Sequence, residues 1–110
     1  MIIQEQSIGD VAVVVANGRL DSNTSGHLEE ILSERARSRP TLIVDLKDVA
    51  YVSSAGLRVL LKAAKLAKAG RNRLALAGLA PQVREVFDVS GFTPIFQIFD
   101  DAGTAAAALS

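Results

Sequence analysis

The segment LIVDLKDVAYVSSAGLRVLL, residues 42–61, passes from an apolar run through small and hydroxyl residues into a second apolar pattern. Its first part, Leu42 to Leu46, is short and mostly apolar, as expected of a strand whose two faces are both at least partly covered. Its last part continues at helical spacing to Ala64, and Gly70 supplies a stop. The segment therefore predicts a central strand followed by a helix from about Ser54 to Ala69.

Two strands and a helix are predicted before this segment. Ile2-Ile3 and Val11 to Val15 are β-branched runs separated by Gly9-Asp10, a pattern typical of a hairpin with a tight turn. Asn17-Gly18 then interrupts the strand pattern. Apolar residues at helical spacing behind a polar cluster predict a first helix that starts close to Ser22 and stops before Pro40.

After the central segment the pattern alternates again between strands and helices. The predicted elements are a strand at Leu74 to Ala77, a helix from Pro81 to a stop at Gly91, a last strand at Pro94 to Ile98 and a helix from Ala102 to Leu109. The predicted order is ββαβαβαβα. We interpret residues 1–110 as a single α/β domain whose helices pack on a mixed sheet.

Composition excludes several classes of function. Lysine plus arginine equals aspartate plus glutamate at 12 each, so no net basic field favours a nucleic acid as partner. The absence of cysteine excludes disulfides, thiol chemistry and zinc–thiolate sites. The N-terminus does not resemble a signal peptide and no apolar run has membrane-spanning length, so we expect a cytoplasmic protein without a membrane partner.

Catalysis and cofactor binding have little support in the residues. Ser54 could act as a nucleophile, but His27 is the only histidine and lies within the first predicted helix, so no enzyme is predicted. No phosphate-binding loop motif is present, and no cofactor is predicted. Asp21, Asp45 and Asp48 could gather at one sheet edge around a hard cation, but loop aspartates more often satisfy backbone donors, so no metal site is predicted.

Ser53-Ser54 at the start of the second predicted helix has two interpretations. Serine is a preferred N-cap residue, and its oxygen accepts a bond from an otherwise unpaired amide. A helix N-terminus also presents free N–H groups and the positive end of the helix dipole, which favour an added anion such as a phosphate. Composition alone favours the cap.

Four pieces of the chain, in order, resemble STAS domains, and specifically the anti-sigma factor antagonists. The first is Asn17-Gly-Arg-Leu-Asp21, similar to a G-x-L-D turn, and the second is the segment 42–61. The third is the strand at 71–77, and the fourth is Pro81 to Gly91, similar to the pattern P-x-V-x-x-x-F-x-x-S-G. The resemblance covers nearly the whole chain.

The resemblance implies site residues. The phosphorylation motif D-S-[ST]-G of the family matches residues 53–56, which puts the phosphoacceptor on Ser54. Ser53 replaces the aspartate of the motif and Ala55 replaces its second hydroxyl residue. Asp21 corresponds to an acidic loop residue of the family, and an N-cap of the first helix is its alternative role. The implied partner-binding residues are Asp21, Ser53, Ser54, Gly56, Leu57 and Arg58, of which Leu57 could instead belong to the core.

The resemblance further implies a partner-switching function without enzymatic activity. The unphosphorylated protein would bind an anti-sigma factor that is also a serine kinase, and a serine phosphatase would reset the switch. A phosphate would oppose association through its charge. The alternative is a STAS subunit that regulates or scaffolds a transporter or signalling complex and is never phosphorylated. A homodimer is left open.

Overall fold

A computed structural model describes residues 1–109 as a five-stranded sheet with four α-helices. The strands are β1 (Ile2–Ile8), β2 (Val11–Leu20), β3 (Thr41–Val52), β4 (Arg73–Ala77) and β5 (Gln97–Phe99). The helices are α1 (Ser25–Ser38), α2 (Ser54–Ala69), α3 (Pro81–Val89) and α4 (Ala102–Leu109), and a 3-10 turn at Thr93–Ile95 precedes β5. This arrangement confirms the predicted fold class and element order.

The strands lie in the sheet in chain order, from β1 to β5. The β1–β2 pair is antiparallel, as predicted for a hairpin, and the remaining pairs are parallel. Residues 42–45 of β3 pair with β2 on one side and with β4 on the other. The apolar segment that begins at Leu42 is therefore an interior strand, as the sequence predicts.

Both faces of the sheet are covered, which explains the continuous apolar runs in β2 and β3. Because successive strand side chains point to opposite faces, Val14 and Val44 pack in the larger core with residues of α1, α2 and α3. Val13 and Ile43 pack on the other face with Ala105 and neighbouring residues of α4. None of the helices in residues 1–109 is long and apolar enough to cross a membrane.

Strand β2 is longer than predicted. Asn17-Gly18 does not end it, because β2 pairs with β3 as far as Leu20. Register shifts between Val15 and Asn17 and between Gly18 and Arg19 break the alternation of the side chains. Because of these irregularities, the second half of the strand lacks the period-two pattern from which strands are predicted. Gly18 has a positive φ of 120°, a conformation that favours glycine.

Helix α1 begins at Ser25, so its predicted start close to Ser22 is wrong. The backbone N–H groups of Thr24 and Ser25 donate to the carbonyl of Asp21, at 3.2 and 2.8 Å, and close a turn before the helix. Thr24 is the N-cap residue. Four consecutive residues that favour both caps and turns, 21–24, make this boundary ambiguous in the sequence.

The last strand also differs from its prediction at Pro94 to Ile98. Pro94 lies in the 3-10 turn, and only Gln97–Phe99 pairs with β4. Proline has no backbone N–H with which to join a ladder, so the strand begins after it.

Gly56 in the first turn of α2 lies against Leu20, the last residue of β2. A Cβ at position 56 would lie 2.6 Å from Cγ and 2.9 Å from the carbonyl oxygen of Leu20. Leu20 is fully buried, so neither atom can shift outwards into solvent to make room. Glycine at this position therefore permits the close approach of helix and strand.

We expect Gly56→Ala to lower the free energy of unfolding by about 1–3 kcal/mol, because the added methyl overpacks the contact with Leu20. Alanine is intrinsically the better helix former, so helix propensity alone would stabilise the variant, whereas overpacking against Leu20 would destabilise it. The control is Gly26→Ala near the start of α1, where a Cβ would meet nothing within 4 Å. Urea unfolding followed by circular dichroism measures both, and stabilisation of both variants would contradict the packing account.

Candidate functional site

The candidate site lies where β2 and β3 end side by side. Because these strands are parallel, their carboxyl ends meet at the same edge of the sheet, and β2 leads into Asp21 while β3 leads into Ser53. The backbone N–H of Ser53 donates to the carbonyl of Leu20 at 2.9 Å. This bond holds the turn that contains Asp21 beside the start of α2.

The two serines at the start of α2 have different structural roles. Ser53 has an extended backbone, and its Oγ accepts a hydrogen bond from the backbone N–H of Gly56 at 3.3 Å, so it is the N-cap. Ser54 is the first residue of the helix and is exposed. Its hydroxyl forms no hydrogen bond within residues 1–109. The cap interpretation is thus confirmed for Ser53 and leaves Ser54 free.

Asp21 organises the turn that precedes α1. Its Oδ1 accepts from the backbone N–H groups of Asn23 and Thr24, at 2.9 and 3.3 Å, and its own N–H donates to Thr24 Oγ1 at 3.0 Å. Its alternative role as the N-cap of α1 is wrong, since Thr24 occupies that position. Oδ2 of Asp21 lies 3.7 Å from Nε of Arg19, and its side chain is 25% exposed. The carboxylate is therefore partly accessible beside α2.

Arg19 and Tyr51 form a stacked pair at the same edge of the sheet. They are register partners in β2 and β3, and Cζ of Arg19 lies 4.4 Å from the centre of the Tyr51 ring. Tyr51 is 42% exposed, which is high for an aromatic side chain in this chain. Tyrosine and arginine are enriched among residues that dominate binding energy in interfaces. The pair cannot be predicted from the sequence, because only the strand register brings the two residues together.

Of the partner-binding residues implied by the family resemblance, Leu57 and Gly56 are buried and Arg58 is exposed. Leu57 is 4% exposed and packs in the larger core, so its alternative role in the core is the one the structure supports. Gly56 is buried against Leu20 and acts through packing. Arg58 is exposed and forms no ion pair with the described residues. The accessible part of the predicted surface thus consists of Asp21, the two serines and Arg58.

The carboxylates considered for a cation do not form one cluster. Asp45 is buried and accepts from the backbone N–H of Lys47 at 3.0 Å and from its Nζ at 2.8 Å, while Oδ2 of Asp48 lies 3.9 Å from the same Nζ. The bond to Asp45 raises the pKa of Lys47 above its ordinary value. Asp21 instead contacts Arg19. Within residues 1–109, no three or more His, Cys, Asp or Glu side chains lie close enough together to bind a metal ion.

Comparison with known proteins identifies the family to which this chain belongs. The sequence matches the STAS domain family over residues 3–105. The chain belongs to the STAS domain family. This confirms the resemblance seen in the sequence, and the segment that contains Ser53 and Ser54 lies within the matched range.

Relatives of this STAS domain include anti-sigma factor antagonists. It is 35% identical over 109 residues to the Bordetella bronchiseptica protein named "Putative anti-sigma factor antagonist BtrV", covering 98% of this chain and 94% of that protein. It is 32% identical over 94 residues to the anti-sigma-B factor antagonist of Bacillus subtilis, covering 86% and 85%. The phosphorylated form of the Bacillus cell fate determinant SpoIIAA shares the fold, with a TM-score of 0.76, 20% identity and coverage of 99% and 100%.

The different roles of the two serines in this STAS domain predict different effects on stability. Ser53→Ala removes the N-cap bond and should lower the free energy of unfolding by about 1 kcal/mol. Ser54→Ala is the matched control, since it removes a hydroxyl that is exposed and unbonded, and it should change stability by less than about 0.5 kcal/mol. Urea unfolding measures both. A larger loss at Ser54 than at Ser53 would reverse the assignment of the cap.

Proposed function

We propose that this STAS domain is an anti-sigma factor antagonist whose binding to an anti-sigma factor with serine kinase activity is switched off by phosphorylation of Ser54. The observation that carries the proposal is the free, exposed hydroxyl of Ser54 next to a serine that already caps the helix. In this proposal the domain is a kinase substrate and a binding protein, not an enzyme, and a serine phosphatase restores the binding form.

The position of Ser54 allows phosphorylation without loss of the fold. Its hydroxyl is not needed for a hydrogen bond within residues 1–109, so a phosphate on it breaks no structural contact. The N-terminus of α2 presents unpaired N–H groups and the positive end of the helix dipole, which stabilise an added anion. The change that a partner detects is therefore local, and the core that lies beneath it keeps its packing.

Ser53, where the family motif has aspartate, is compatible with this switch. Aspartate and serine are about equally good N-cap residues, so the substitution keeps the cap bond to Gly56. It removes one negative charge next to the acceptor. A phosphate on Ser54 consequently faces less repulsion from its own chain than it would beside an aspartate.

The proposed partner surface is the edge at which β2 and β3 end. It comprises the accessible residues Asp21, Ser53, Ser54 and Arg58 together with the Arg19–Tyr51 pair. A phosphoserine adds about −1.5 to −2 charges with their hydration shell. Buried in an interface that formed around a neutral hydroxyl, this charge would be repelled and costly to desolvate, so the partner would be released.

Incubation with its own anti-sigma kinase and ATP should place a single phosphate on Ser54, and the modified domain should release the kinase. Ser54→Ala should remain bound in the presence of ATP, because it cannot accept the phosphate. Ser54→Asp should bind weakly, since its carboxylate supplies part of the phosphate charge. Site mapping by mass spectrometry and size-exclusion binding assays provide the measurements. A phosphate on Ser53 instead, or equal binding by all forms, would contradict the proposal.

A further inference from the structure

We propose that Arg58 pairs, within the same molecule, with the phosphate carried by Ser54. Phosphorylation then withdraws from the partner a guanidinium group that the unmodified domain presents to it. This inference rests on the proposed function in taking Ser54 as the modified residue. It assigns to Arg58 a regulatory role in the switch and predicts that the partner offers an acidic group to it.

Arg58 has the spacing that brings a helical side chain to Ser54. The two residues are four positions apart at the start of α2 and both are exposed. Side chains at i and i+4 lie on the same face of a helix, with about 5–6 Å between their Cβ atoms. Helical side chains also point back towards the N-terminus, so the long side chain of Arg58 reaches in the direction of Ser54.

The guanidinium of Arg58 has no anion of its own within residues 1–109. Helix α2 carries Arg58, Lys62, Lys65 and Lys68 and has no acidic residue. Glu29, the α1 carboxylate that reaches α2, lies 3.5 Å from Nζ of Lys62. Asp21 is engaged by two backbone N–H groups and by Arg19. A phosphate on Ser54 therefore meets a free cation at Arg58.

Arg19, the other cation at this edge of the sheet, already has partners within its own chain. Arg19 stacks on Tyr51 and contacts Asp21, so its use by a phosphate would require both contacts to change. Arginine is well suited to phosphate, because its planar guanidinium donates two parallel hydrogen bonds to two oxygens. Arg58 can make these bonds by rotation of its own exposed side chain. The phosphate thus changes the surface in two ways: it adds a negative charge, and it pairs with Arg58, which is then no longer available to a partner.

The test uses the whole domain with phosphoserine incorporated at position 54 during translation, so that no kinase is needed. A pH titration followed by 31P NMR gives the second pKa of the phosphate, which is near 6 in the absence of a partner. The titration is run on the otherwise unchanged chain and on Arg58→Gln, Lys65→Gln and Arg19→Gln. Lys65 is the matched control, because it is an exposed, unpaired cation of the same helix, and its replacement changes the net charge equally.

A cation paired with the phosphate stabilises the dianion and lowers its pKa. Arg58→Gln should therefore raise the phosphate pKa by about 0.3 units or more, whereas Lys65→Gln and Arg19→Gln should shift it by about 0.1 units or less. The Nε–H signal of Arg58 should titrate with the same midpoint as the phosphate. Equal shifts for Arg58→Gln and Lys65→Gln, or the largest shift for Arg19→Gln, would overturn the proposal.

This result is separable from that of the kinase experiment. The phosphate is installed without an enzyme, so pairing with Arg58 can be found even if the cellular kinase does not act on Ser54, in which case only the proposed function fails. Conversely, the kinase could modify Ser54 while the phosphate pKa is the same with and without Arg58. The phosphorylation switch would then stand, and the pairing of Arg58 with the phosphate would be rejected.

Discussion

The contact of Leu20 with the first turn of α2 is the constraint on which the site depends. Its carbonyl oxygen accepts the N–H of Ser53, and its side chain and carbonyl fill the space that a side chain at position 56 would need. Because Leu20 ends β2, the same contact holds the turn that begins at Asp21 beside the start of α2. One buried residue thereby joins a strand end, a turn and a helix start, so that residues far apart in sequence form one surface.

The chemistry of the surface follows from a division of roles between adjacent residues. Ser53 satisfies a backbone donor of the helix, and this leaves the hydroxyl of Ser54 available for modification. Arg19 contacts Tyr51 and Asp21, whereas the guanidinium of Arg58 has no ion pair within residues 1–109. We infer that the paired cation, Arg19, keeps its contacts in both states of the surface, while the unpaired one, Arg58, responds to the state of Ser54.

Much of this arrangement could be predicted from the sequence, and the rest depends on register. The bounds of α2 follow from its strong helical periodicity, and the family follows from four motif pieces in order, both now confirmed. The end of β2 was missed because two irregularities in its pairing with β3 disrupt the alternation. The Arg19–Tyr51 pair could not be predicted either, because its members are 32 positions apart in sequence and meet only through the pairing of β2 with β3. The core role of Leu57 was one of its two sequence-based interpretations, and its burial in the structure decides between them.

The most direct test of the central claim, that the modification of Ser54 controls partner binding, is made in the native cell. The domain is isolated in two pools, one that co-purifies with an anti-sigma factor and one that is free of it, and phosphate occupancy at Ser54 is measured in each by mass spectrometry. We expect an unmodified Ser54 in the bound pool and a phosphorylated Ser54 in the free pool. Equal occupancy in the two pools, or a phosphate enriched in the bound pool, would contradict it.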